Sequence, residues 1–325
     1  MSGSKSNIAY ALPENLVSFF TQALKSFQLS KATFRVLCSL PPADELVPLP
    51  PPSQPRFLLV LDSSFNPPTL GHQRMAISAV TDNRYSSNSR ILLLLATSNA
   101  DKAPKPAAFP QRLAMMYIFA QDLLSAMSSR GDLRSVGIDV AVTTEPYFHS
   151  KAKAVAASDF YTRGARDPET PVEQVYLTGF DTLVRIFNPR YYDADGSMAA
   201  ALDPFFARSS LRVTTRPDAG WGDAEEQWKY LDGLRRGGGL TEIGGRAEWA
   251  QRVEMVDSRG DGDPVISSTK VRDAVAGQDW NTLRTLVSDR VTEWIRQEGL
   301  YSQDEGRDSI LRSSGGWSLV STSCL

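Results

Sequence analysis

One of the chain's two histidines, His72, closes the run Ser64-Phe65-Asn66-Pro67-Pro68-Thr69-Leu70-Gly71-His72. Far downstream lies a second run, Ile266-Ser267-Ser268-Thr269-Lys270-Val271-Arg272, which is rich in hydroxyls and ends in a guanidinium. An imidazole, a guanidinium, hydroxyls and the free N–H groups of helix starts are all hydrogen-bond donors, and donors gathered in one place hold anions. Such a set suits a phosphate-bearing ligand and can neutralise charge growing on a departing phosphate. His72 and Arg272 are the candidate catalytic residues, and Thr269 and Arg272, at i and i+3, share a helix face.

These residues need a scaffold that brings both runs to one edge. Phe57-Leu58-Leu59-Val60-Leu61 is continuously apolar, as in a strand buried on both faces of a parallel sheet. After the first run, Met75, Ala76, Ala79 and Val80 recur at helical spacing. The run thus links the carboxyl end of a strand to a helix, where open α/β sheets bind ligands. Further strands are expected at 91–96, 136–142, 174–178, 211–215 and 253–256, with helices at 71–80, 110–128 and 181–187. This alternation predicts a doubly wound, mostly parallel α/β sheet of Rossmann-like type. Residues 1–55 read as an N-terminal extension without chemistry: a helix after Pro13, with the stripe Leu16, Phe19, Phe20, Ala23, Leu24 and Phe27, then a short edge strand at 32–40 and a proline-dense linker. Residues 56–302 read as the catalytic domain and 303–325 as a disordered tail. Three stretches break the rhythm: 150–170 is small and polar, 193–207 has helical character, and 232–246 is glycine-rich and expected to be mobile.

Composition narrows the classes. A formal net charge of -2, from 35 Lys and Arg against 37 Asp and Glu, supplies no global field for nucleic acid, so any phosphate site must be local. No apolar run is long enough for a membrane span, and no signal pattern opens the chain. Two cysteines, Cys38 and the penultimate Cys324, are too few for a disulfide framework. A soluble protein of the cytoplasm or nucleus is expected.

The pattern Ser-Phe-Asn-Pro, then Thr-x-Gly-His, then Ile-Ser-Ser-Thr-x-x-Arg resembles the nucleotidyltransferase superfamily, and within it the nicotinamide/nicotinate mononucleotide adenylyltransferases. Gly179-Phe180-Asp181, running on to Asn188-Pro189-Arg190-Tyr191-Tyr192, looks like that family's Gly-x-Asp segment, and 291–301 (VTEWIRQEGLY) looks like its closing helix. The resemblance implies ATP and a pyridine mononucleotide as ligands, with Mg²⁺ carried mainly by the ATP phosphates. It assigns His72, Ser267, Ser268, Thr269 and Arg272 to those phosphates, with Lys105, in preference to Lys102, as a further phosphate lysine. Gly179 and Asp181 fall at the ATP site, although Asp181 also suits a helix N-cap. Ser64 and Phe65 would offer backbone donors to the mononucleotide. Arg216 would lie near the phosphates or simply begin a turn at Pro217. Tyr192 would stack on the pyridine ring or pack in the core.

Three positions depart from the family pattern. Ser63 stands where a glycine is usual and would resist a positive φ. Thr69 replaces the first histidine of a His-x-Gly-His form. Thr144-Glu145-Pro146-Tyr147-Phe148 replaces an acidic, tryptophan-containing segment, so base recognition is expected to diverge more than phosphate chemistry. His149 has no motif around it and reads as a loop histidine. Other readings stay open: another phosphorylated acceptor or CTP, or a nucleotide-binding or ATP-hydrolysing regulator on the same fold.

Overall fold

The computed structural model describes residues 15–42, 45–85, 88–97, 106–129, 136–163, 170–192, 196–217, 220–236, 238–257 and 266–302. Seven strands form one sheet: β1 (Phe34–Leu40), β2 (Phe57–Asp62), β3 (Ser89–Ala96), β4 (Ile138–Thr143), β5 (Glu173–Gly179), β6 (Ser209–Thr214) and β7 (Val253–Val256), in the order β1-β4-β3-β2-β5-β6-β7. Every pairing is parallel except that of β1 with β4. The order reverses between β2 and β5, so the crevice outside the carboxyl ends of those two strands is the place where a doubly wound sheet takes ligands.

The strands alternate between two cores, as a two-sided sheet must. Leu59 and Leu61 of β2, with Ile91, Leu93 and Leu95 of β3, face one apolar cluster; Leu58, Val60, Leu92 and Leu94 face the other. The first cluster is covered by α1 (Leu16–Leu29), α2 (Leu70–Val80) and α3 (Phe109–Ser128), and by the last three helices of the chain. Over the second lie α4 (Phe148–Ala156), α5 (Phe180–Ile186), α6 (Met198–Arg208), α7 (Ala224–Arg236) and the short α8 (Gly239–Glu242). The chain then returns to the first face with α9 (Ser268–Ala276), α10 (Trp280–Leu286) and α11 (Asp289–Gln297).

The expected strands and the helices at α2, α3 and α5 appear within a few residues of their predicted bounds. Two of the interruptions differ from expectation. Part of 150–170 belongs to α4, and 232–236 is the last turn of α7. Residues 16–40 are built into the molecule: β1 pairs with β4 across a register shift between Val36 and Cys38, and α1 buries Leu16, Phe20 and Phe27 against the first cluster. The Cys38 thiol, enclosed there and near Asp139, is pushed well above its usual range. Pro13, Lys102, Lys105, Cys324 and the 303–325 tail lie outside the described residues.

Candidate active site

The loop from Ser63 to Thr69 leaves the carboxyl end of β2 and turns into α2. Its direction is set at Phe65, the residue with positive φ (44°), whose ring is fully buried against His72 (centroids 5.5 Å apart) and Phe119. Ser63 is not in the left-handed region, so its side chain costs nothing there. The Asn66–Pro67 peptide is cis. Arg112 holds the loop from below, its Nη1 donating to the Ser64 carbonyl at 3.1 Å. Tyr301 Oη, beyond α11, donates to Asn66 Oδ1 at 2.7 Å.

His72 occupies the third position of α2 and is doubly anchored. The Thr69 N–H donates to His72 Nδ1 at 3.0 Å, closing a capping box. A backbone N–H can only donate, so Nδ1 carries the lone pair and the proton of the neutral ring sits on Nε2. Ser63 Oγ lies 3.0 Å from Nε2 and therefore accepts from it. Burial pushes the imidazole down to about 4, helped by the Arg216 charge, so the ring is neutral in the ligand-free protein at ordinary pH.

The second run is stitched to this loop. Ser267 is the N-cap of α9, its Oγ accepting from the Lys270 N–H at 3.2 Å. Ser268 Oγ donates to the Pro67 carbonyl at 2.8 Å. Arg272 Nη1 reaches the carbonyls of Asn66 (2.8 Å) and Ser268 (3.1 Å), and Nη2 donates to Thr269 Oγ1 at 3.1 Å. This last bond realises the shared helix face inferred from sequence. A third side comes from β5 and β6: Arg216 Nη1 donates to Asp181 Oδ1 at 2.9 Å. A Cβ on Gly179 would approach that carboxylate oxygen to 2.7 Å and the Arg216 Cδ to 2.8 Å, so only glycine admits the pair in this arrangement.

These segments enclose a cleft of about 630 Å³ at the switch point of the sheet. His72, Gly179, Asp181, Ser267, Ser268, Thr269 and Arg272 all line it, as do Ser64, Tyr192 and Arg216. Phe65, expected to offer its backbone N–H, is not among the lining residues, and its ring is buried in the core. Tyr192 reaches the cleft but is only 5% exposed; its Oη donates to the Ile186 carbonyl at 2.6 Å and its ring lies 5.7 Å from His149. His149 is not a loop residue: it sits in the first turn of α4, stacked on Tyr147 at 5.6 Å.

Residues 1–325 match no family model. Over 239 residues the chain is 30% identical to the "Putative nicotinamide mononucleotide adenylyltransferase" of Schizosaccharomyces pombe, covering 74% of this chain and 84% of that protein. The chain belongs to the nicotinamide mononucleotide adenylyltransferase family. Among solved structures, the Plasmodium falciparum nicotinic acid mononucleotide adenylyltransferase complexed with NaAD shares 12% identity, with a TM-score of 0.48 over 76% of this chain and 97% of that one. The same Plasmodium enzyme complexed with APC gives 11% identity and a TM-score of 0.43, with the same coverage.

In this adenylyltransferase-family chain, sequence reasoning missed one group of cleft residues. Lys151 of α4 forms a nearly buried ion pair with Asp62 at the end of β2, and Lys151 also lies 5.2 Å from the Phe148 ring centroid. Pro146, Tyr147, Phe148, Lys151 and Asp62 all line the cleft. The signal available was weak: a lysine in a helix of small residues reads as solvated, and its partner lies 89 positions away. Among the described residues no group of three or more His, Cys, Asp and Glu is gathered as a metal site. Of the carboxylates that line the cleft, Asp62 and Asp181 are each paired with a cation, and Asp257 Oδ1 accepts from Trp228 Nε1 at 3.2 Å. The donor set suits a polyphosphate.

Proposed function

We propose that this chain transfers the adenylyl group of ATP to nicotinamide or nicotinate mononucleotide, giving the dinucleotide and pyrophosphate. The observation that carries the reading is the joining of the Ser63–His72 loop to the start of α9. Arg272 and Ser268 donate to loop carbonyls while His72, Thr269 and the α9 N-terminus border the same cleft. A phosphate oxygen of the mononucleotide attacks the α-phosphorus of ATP; one P–O bond forms, the bond to the β-phosphate oxygen breaks, and pyrophosphate leaves with that electron pair. No proton transfer is required of the protein. The α9 N-terminus and Arg272 offset charge on the departing phosphates, and a neutral His72 contributes a donor rather than an acid. Arg216, tethered to Asp181, holds a further positive charge at the β5–β6 side of the cleft. Mg²⁺, arriving with ATP, would shield the phosphates, with Ser267, Ser268 and Thr269 supplying hydroxyls around them.

Incubation of the purified protein with Mg-ATP and each mononucleotide, followed by separation of the products, tests the reading. Formation of NAD or its deamido form with stoichiometric pyrophosphate is the expected result. Release of orthophosphate without a dinucleotide would overturn it in favour of ATP hydrolysis, and a dinucleotide formed only with another acceptor would change the substrate. His72→Ala and Arg272→Ala are each expected to lower turnover by roughly 10²-fold or more, the scale of a lost transition-state donor. Near-normal rates in both variants would remove the proposed mechanism.

A further inference from the structure

We propose that the Ser63 hydroxyl is itself a catalytic donor to the nucleotide phosphates and that His72 acts through it. This rests on the reading of the cleft as an adenylyl-transfer site. The geometry is a two-link chain. The Thr69 N–H fixes Nδ1 as the acceptor, Nε2–H donates to Ser63 Oγ at 3.0 Å, and Ser63 lines the cleft. A hydroxyl that accepts from an imidazole N–H still has its own proton to give. The imidazole polarises that O–H, which makes it a stronger donor to a phosphate oxygen than an isolated serine.

Ser63 is held in place from both sides. Its backbone N–H donates to the Leu94 carbonyl of β3 at 3.3 Å, and the preceding residue, Asp62, is clamped by Lys151. The His72 ring is held by Phe65 and Phe119, with centroids 5.5 and 6.5 Å away. The donor chain is therefore assembled before any ligand arrives, as electrostatic preorganisation requires.

A double-variant cycle with a spectroscopic readout tests the proposal. Ser63→Ala is expected to lower turnover by roughly 10- to 100-fold, the scale of a hydrogen bond to a charged group, while leaving the unfolding midpoint and the KM for ATP close to wild type. Ser63→Thr, which keeps the hydroxyl, is expected to restore most of the rate. Ser63→Ala combined with His72→Ala is expected to be no slower than the slower single variant, because the two residues act in series. Full additivity would overturn the chain, as would a wild-type rate in Ser63→Ala. With two histidines in the protein, the His72 ring nitrogens are separately observable by ¹⁵N NMR. Adding Mg-ATP should shift Nε2 in the wild type and leave it unmoved in Ser63→Ala; an equal shift in both would mean that His72 meets the nucleotide on its own. That binding readout needs no dinucleotide product, so a failed relay is distinguishable from a failed transferase assignment.

Discussion

At the scale of single residues, His72 shows what spacing reveals and what it conceals. A donor-rich loop ending in histidine three residues after threonine is legible as a capped helix start, and the Thr69–His72 bond is the outcome. The partner on the other ring nitrogen was not legible. Whether Ser63 points at the imidazole depends on the left-handed turn at Phe65, a backbone choice that no side-chain pattern announces. The environment of His72 also gives it a pH signature. Its folded-state value of about 4 lies below the free imidazole's 6.5, so between those limits the unfolded chain binds a proton that the folded chain refuses. The neutral ring's contribution to stability is thus complete above pH 6.5 and is lost as the pH falls towards 4. In the ligand-free protein, His72→Gln is expected to lose less stability than wild type between pH 7 and pH 4, by up to about 3 kcal/mol. Denaturant titrations at several pH values measure it, and identical acid limbs for the two proteins would count against a neutral buried ring.

At the scale of elements, the parts read correctly were those whose sequence carries one strong period or one long apolar run. β2, β3 and α3 meet that description. The misreadings have physical reasons. α4 is short and made of small residues, so its burial of Ala152, Ala154 and Val155 leaves no visible stripe. α7 contains Gly233 and buries only Gln227, Leu231 and Leu234; its better signal was Glu225 and Glu226 in the first turn against Arg235 and Arg236 in the last, which complements the helix dipole. α1 is the opposite case. Its stripe was plain, but the surface it would meet was not, and the structure supplies α3: Phe20 is fully buried, its ring 6.5 Å from that of Tyr117. Phe20→Ala is expected to destabilise the protein by about 3–5 kcal/mol, as for a large ring removed from a packed core. Chemical denaturation followed by circular dichroism reads this directly, and a loss below about 1 kcal/mol would mean that α1 is loosely docked.

At the scale of the whole molecule, the sheet ties the first described residues to the cleft. β1 covers the open side of β4, and behind it Asp139, fully buried, accepts from Ser39 Oγ at 2.6 Å and from Arg90 at 2.6 and 2.7 Å. Arg90 Nη2 also donates to the Leu49 carbonyl at 3.0 Å. Removing residues 1–55 would take away two of the partners of this buried ion pair, at about 1–3 kcal/mol for each group left unsatisfied. It would also strip Phe20, Phe27 and Leu40 from the first core cluster and open an apolar sheet edge. Set against a total stability of roughly 5–15 kcal/mol, those losses exceed what the remainder can bear. A chain beginning at residue 56 is therefore expected to lack a cooperative unfolding transition and to elute as aggregate on gel filtration, whereas the full chain unfolds in one step. The opposite result is equally informative: a truncated protein with a sharp transition and unchanged ATP binding would make α1 and β1 an appendage, free to serve a protein partner. The burial of Phe20 and the Ser39–Asp139 bond argue for the first outcome, because both sides of those contacts are already closed to anything else.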